Sequence, residues 1–539
     1  MQNILFSSIL VEPVMTLRKV LILIYLISSV FVFAQPAKTL QIEDATEHFK
    51  HGNYFAAIPI YTAELKKDPD NSKIKYKLGL CYLNTRIDRD KAVTFLEAAS
   101  KDPKLEEDVW AYLGRAYHLN NRIEDAIAAF EKFAELKPKR APEVERNIEQ
   151  CENAAKLMKK PNNVSFQNLG SEINSSEPDY YPFIDKDEMY LVFTSRRKDN
   201  LGGKKVEMDG YRSSDIYQSN LDSHGKWTSA RNAGKGVNTN LDEQVTGLRS
   251  DGMEMYVYLD HIDKFGDIYI TSRKDAGIDF GKAKIVDPIV NEKIETSGCV
   301  SEDGSVLFFA RREGMNDNSD LYMARRLPSG KWGIPQKLPD FINSPYNEDL
   351  PFLSIDMKTL YFSSDGPNSM GGYDLFKCSW NQKTTTFSKP ENLGYPVNST
   401  DDDRSICVTQ DNRLAYLSAY RPNGFGDLDI YRIKFEDTEP VSVIYTGQFF
   451  MGDTIPANQP KNYAIDITVT NTSTNYEYTF TPHSKTGRYV MALPAGNYKL
   501  VTHSKGFVRY KEDLVVSDMG KVNLERTKNI MLKKSSKSQ

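Results

Sequence analysis

The pattern of apolar positions changes twice along the chain, and each change marks a different kind of element. Between residues 41 and 159 apolar residues recur at helical spacing, in units of two helices. Leu78, Gly79 and Tyr82 return as Leu113, Gly114 and Tyr117, and Ala92 with Leu96 returns as Ala126 with Phe130. Pro69, Pro103 and Pro138, 34 and 35 residues apart, close the units, because proline cannot continue a helix. An earlier unit is legible in Gly52, Tyr54, Ala57, Tyr61 and Pro69. Val144, Ile148, Cys151, Ala155 and Leu157 predict a further helix that caps the last apolar face.

From 163 to 437 the period becomes that of strands. A short motif of small residue, Asp, aliphatic and aromatic occurs as Ser214-Asp215-Ile216-Tyr217 and returns around Asp267, Asp320, Asp374 and Asp429, at spacings of 52, 53, 54 and 55 residues. Upstream of each lies an acidic cluster, a strand, a turn such as Ser250-Asp251-Gly252 or Ser301-Glu302-Asp303-Gly304, and an aromatic-rich strand such as Val306 to Arg312. Glycine suits such turns because it accepts positive φ without a Cβ clash. Trp227, Phe280, Trp332 and Phe387 precede a last, polar strand. Four short strands per period predict a β-propeller of five blades, or six if a degenerate unit is present. Asn168-Leu169-Gly170 matches Asn392-Leu393-Gly394, so the leading strand from Val164 is expected to complete the last blade and leave no open sheet edge.

From 440 to 533 alternation continues without that period. Ile465, Ile467 and Val469 share one face, and turns are expected at Asn471-Thr472-Ser473 and Pro494-Ala495-Gly496, which predicts a small β-sandwich. Residues 534–539 form a short lysine-bearing tail.

The N-terminus adds a destination. Arg18 and Lys19 precede an apolar run from Val20 to Phe33, and Val32 and Ala34 occupy the positions of a small-residue cleavage site. Residues 1–34 therefore read as a secretory signal peptide, with Met15 as the expected start, a mature chain from near Gln35 and no transmembrane span within it. A formal net charge of -4 argues against nucleic acid as a partner, since its phosphates select strongly basic surfaces. Five scattered cysteines, Cys81, Cys151, Cys299, Cys378 and Cys407, form no C-x-x-C pair and read as buried thiols.

The 34-residue unit with Leu78-Gly79 and Tyr82 resembles the tetratricopeptide (TPR) repeat. The aspartate-centred units resemble the WD-like repeats of TolB-type propellers. Ser484 to Tyr489 with Leu493 to Tyr498 resembles carboxypeptidase regulatory-like domains, which are transthyretin-like sandwiches without catalytic groups. The whole order resembles Bacteroidetes periplasmic envelope proteins of the type IX secretion and gliding machinery, the PorE-like proteins. That resemblance implies protein partners in the envelope, an outer-membrane protein or a secretion-system component. Such proteins usually continue into an OmpA-like domain, whereas here only Lys533 to Gln539 follow Ile530-Met531-Leu532, so direct contact with peptidoglycan is not expected.

Candidate chemistry is sparse. The chain has no Gly-x-Ser-x-Gly elbow, His-Glu-x-x-His helix or Walker loop, and no catalytic residue, cofactor or metal site is assigned. His48 and His51 could share a helix face but read as solvated. Asp215, Asp267, Asp320, Asp374 and Asp429 sit at matching positions of different blades and cannot converge on one ion; they are expected to hold backbone amides in turns. The candidate binding residues are the acids before each innermost strand: Glu177, Asp179, Asp242, Glu243, Glu295, Glu348, Asp349, Asp402 and Asp403, with Asp401 beside them. They are expected to rim one mouth of the propeller and favour a cationic segment. The plainer reading makes them solvated loop charges balanced by Arg196, Arg197, Arg311, Arg404 and Arg421. The expected function is a non-catalytic envelope scaffold or adaptor; the alternative is a glycan-binding or glycan-cleaving propeller protein, since sequence does not show whether two carboxylates stand at a catalytic separation.

Overall fold

Helical spacing becomes seven helices and strand spacing becomes twenty-nine strands among the described residues of the computed structural model. It describes residues 44–535 apart from 106–107, 203–205, 208, 223–224, 261–265, 276, 438–441, 453–464, 484–485, 505–506 and 518–524. The signal peptide, the start at Met15, the Ser484-Lys485 turn and the end of the tail lie outside the described residues. No helix among them is long and apolar enough to cross a membrane.

The helices are α1 (Ala45–Lys50), α2 (Tyr54–Lys67), α3 (Ser72–Leu83), α4 (Arg89–Ala99), α5 (Val109–Leu119), α6 (Ile123–Leu136) and α7 (Pro142–Met158). Asn53 and Asn71 cap α2 and α3 by accepting from the Ala56 and Ile74 N–H groups, each at 3.1 Å. The repeated glycines sit where helices meet: a Cβ on Gly79 would lie 2.6 Å from the Leu96 side chain, and one on Gly114 equally close to Phe130. Leu78, Ala92 and Leu96 are fully buried there. The capping helix α7 shields more than its own stack, because Cys151 and Ala154 share an apolar cluster with Met370 of the β region.

The β region contains five successive antiparallel sheets. They run β2 (Asp179–Ile184) to β5 (Arg231–Asn232), β6 (Glu243–Leu248) to β9 (Lys284–Ile285), β10 (Ile294–Val300) to β13 (Gln336–Lys337), β14 (Glu348–Leu353) to β18 (Glu391–Asn392), and β19 (Ile406–Val408) to β21 (Asp429–Phe435). The leading strand β1 (Val164–Asn168) pairs with β21, as the matching Asn-Leu-Gly strings imply.

One asparagine device joins each sheet to the next. Asn238 accepts from the Ile216 N–H and donates to the Ile216 carbonyl, both at 2.9 Å, so its amide stands in for one more strand residue. Asn291 does the same to Ile268, Asn343 to Leu321 and Asn398 to Leu375. Asn174, ahead of the first sheet, does it to Ile430 in the fifth. A backbone bond accompanies each tie, including Asp179 N–H to the Leu428 carbonyl at 2.8 Å. The seam between first and fifth sheets also carries a buried clasp: Glu188 accepts from the Tyr416 hydroxyl at 2.9 Å and from Arg432 at 3.3 Å.

In the last region β22 (Val443–Met451), β25 (Arg488–Leu493), β28 (Glu525–Thr527) and β29 (Ile530–Leu532) form one sheet. The other comprises β23 (Asp466–Asn471), β24 (Glu477–Phe480), β26 (Gly496–His503) and β27 (Tyr510–Val516). They share a core in which Ile465, Ile467 and Val469 are buried on the expected face. All five cysteines are buried thiols.

Candidate functional site: the cleft between helices and sheets

The nine acids singled out by sequence do not form a common rim. Asp179, Glu243, Glu295, Glu348, Asp349 and Asp403 are buried. The reason is local. Each strand-opening carboxylate turns back onto the loop before it: Asp179 accepts from Ser175 N–H at 2.6 Å, Glu348 from Ser344 N–H at 2.9 Å, and Asp403 from Ser399 N–H at 2.6 Å. Glu243 does the same to Thr239 at 3.0 Å, and Glu295 accepts from Lys293 N–H at 3.2 Å and from the Arg311 guanidinium at 2.7 Å. Asp349 binds the Thr296 and Ser297 hydroxyls of the neighbouring sheet at 2.9 and 2.6 Å.

Asp242 caps the Ser214 N–H at 2.7 Å, and Asp402 caps that of Tyr373 at 3.0 Å. Glu177 pairs with Lys198 at 3.3 Å in an adjoining groove. Of the nine, only Asp402 lines the large cleft described next. Burial pushes Glu243 up to about 8 and both Glu348 and Asp403 to about 7. Burial also raises Asp179 and Glu295, against the pull of Arg197 and Arg311.

Asp215, Asp374 and Asp429 do hold turns, accepting from the N–H groups of Leu201, Met370 and Phe425 at 2.8, 2.9 and 2.7 Å. Asp320 instead pairs with Lys337 at 2.8 Å.

The prominent concavity is a cleft of about 800 Å³ roofed by α2 to α5 and α7 and floored by the loops of the first, fourth and fifth sheets. The α3–α4 turn reaches down into it. Arg86 pairs with Asp427 at 2.9 Å and Asp401 at 3.3 Å, and Arg89 also pairs with Asp401 while stacking on Tyr420 at 4.2 Å. Behind it Arg146 of α7 reaches the Asp365 and Gly366 carbonyls and the Ser369 hydroxyl, and Asn153 donates to the Ser369 carbonyl at 3.1 Å. In front, Phe55 packs edge-on against Tyr211 at 5.0 Å, whose hydroxyl donates to Asp427 at 2.6 Å.

Burial alone would raise Asp401, but Arg86 and Arg89 outweigh it and hold the carboxyl at about 2. Burial holds His118, on the roof, down at about 4, so the imidazole is neutral. Arg86, Arg89, Arg115, Arg196 and Arg404 face Asp209, Asp401, Asp402 and Asp427, so the cleft is not the negative mouth that the acidic clusters suggest.

Sequence reading missed Arg86, Arg89 and Asp427, which make the site. The available signal was the charged turn Arg86-Ile87-Asp88-Arg89 between two repeat helices, where Asp88 adopts φ 45°. Its partners lie more than three hundred residues away, and no local pattern links them.

The tetratricopeptide repeat model matches residues 43–87 and 86–141. No curated protein matches the chain. Among solved structures, TolB from Acinetobacter baumannii is similar at 16% identity over 49% of this chain and 55% of that one, with a TM-score of 0.32, so the match spans little more than half of that TolB. A putative TolB from Agrobacterium tumefaciens is 15% identical over 51% of this chain and 98% of that one, at a TM-score of 0.27. The endo-arabinase of Bacteroides thetaiotaomicron VPI-5482 is 14% identical over 51% and 99%, at 0.34. The helical region thus matches the tetratricopeptide repeat model, and the five antiparallel sheets follow it.

Proposed function

We propose that this chain is a non-catalytic scaffold of the cell envelope, exported to the periplasm and binding protein partners at the outer membrane, in the setting of type IX secretion and gliding. In this reading the five sheets are blades of one closed propeller, and the last region is a transthyretin-like sandwich. The observation that carries it is the interlock of helices and sheets. A spacer needs no specific docking, whereas here Arg86, Arg89 and Arg146 anchor the repeat stack in one orientation by charged bonds at both ends. A fixed orientation turns two interaction modules into one composite surface.

The carboxyl groups support the non-catalytic part. A glycosidase needs a protonated acid and a second carboxylate across the scissile bond. In the cleft Asp401 is ionised and bound to two arginines, while the acids raised by burial are engaged with loop hydroxyls and amides.

Affinity capture from envelope extracts, followed by reconstitution with the purified partner, tests the proposal. The expected result is one outer-membrane protein whose complex re-forms in vitro and weakens when exposed helical residues are changed. Recovery of no partner, or turnover of labelled glycans abolished by changing one cleft acid, would overturn it.

A further inference from the structure

The cleft holds more positive charge than its ion pairs use. Arg86 and Arg89 are committed to Asp401 and Asp427, and Arg196 to Asp209 at 2.6 Å. Arg115, exposed on α5, and Arg404, on the floor with Asp402 and Asp349 nearby, form no ion pair among the described residues. The Arg404 guanidinium lies 3.9 Å over the Tyr373 ring, with the Tyr181 hydroxyl beside it. Tyr180, Tyr181 and Tyr211 add aromatic rings to the same wall.

Shape restricts what enters. Across the sheets from the cleft, Ile184, Leu248, Val300, Leu353 and Val408, one from each sheet, close on a gap of about 30 Å³, roughly the volume of a single water. The helices roof the other side. A cleft of about 800 Å³ suits a metabolite-sized ligand and not a folded chain.

We propose that this cleft binds a small molecule through its oxyanion, a carboxylate or a phosphate, held between Arg404 on the sheets and Arg115 on the helices. Charge-assisted bonds to two guanidinium groups supply the affinity, and the tyrosine faces accept the ligand's body.

Isothermal titration calorimetry on the full mature chain at low salt tests this, with inorganic phosphate and glucuronate as probes and glucose as the uncharged control. At least one anion should bind while glucose does not, with affinity falling as salt rises. Arg404→Gln and Arg115→Gln should each weaken it by about 10-fold or more, as expected for loss of one charge-assisted contact. Binding of phosphate alone or glucuronate alone supports the site and identifies its oxyanion. If Arg404→Gln loses its folded circular dichroism spectrum, Arg404→Lys, which keeps the charge but not the planar fork, and the exposed Arg115→Gln decide the matter. No binding of either anion at about 10 mM, equal binding of glucose, or affinity unchanged in the folded variants would overturn the proposal.

Discussion

Replacing Asp401 with asparagine removes the carboxylate on which Arg86 and Arg89 converge. Its carboxyl is held at about 2 against an ordinary 3.8, a difference worth about 2.5 kcal/mol at neutral pH, at about 1.4 kcal/mol per pH unit. Its side chain is only 16% exposed, so solvent screening trims this little. The variant leaves Arg86 with Asp427 and leaves Arg89 with only the Tyr420 ring, so a loss of about 2 to 3 kcal/mol is expected, at the low end for breaking a partly buried pair.

The sign of the pH dependence follows from a depressed folded value: the stabilisation is complete above the unfolded value of 3.8 and disappears as pH falls through about 2. Urea unfolding of both proteins at pH 7 and pH 3 measures it. The gap should shrink from about 2.5 to about 1.3 kcal/mol, with the helical signal lost earlier in the variant. A gap below about 0.5 kcal/mol at pH 7, or one that does not change with pH, would refute the idea that this carboxylate fastens the helices to the sheets.

Asn174→Ala should cost about 2 kcal/mol or more, because it strips two hydrogen bonds from Ile430 in buried surroundings, and Asn238→Ala should cost a similar amount if each tie is equivalent; chemical denaturation compares them. Glu243 and Glu348 are raised to about 8 and about 7, so the β region should be most stable in mild acid and lose stability as pH rises through those values; Glu348→Gln should flatten that slope in a plot of Tm against pH. Gly114→Ala would press a methyl into Phe130 and should destabilise the helical region by about 1 to 3 kcal/mol, read as an earlier loss of helical circular dichroism with the sheet transition unmoved.

Sequence alone determined the elements, because their causes are local. Proline and glycine spacing specified the repeat helices, and Gly79 and Gly114 are needed where their Cβ atoms would strike Leu96 and Phe130. The aspartate spacing specified the recurring strands, and the Asn-Leu-Gly match placed β1 beside β21, since pairing follows from side-chain alternation and turn chemistry. Tertiary structure alone decided where the charges act. An acid before an innermost strand reads the same in sequence whether it faces solvent or folds back onto its own loop; the hydroxyl and amide four residues earlier draw Glu348 and Asp403 inward. Likewise Arg86 and Asp427 gain their meaning only when the repeat stack settles on the sheets, because electrostatic partnership depends on distance in space and burial, neither of which is written in the order of residues.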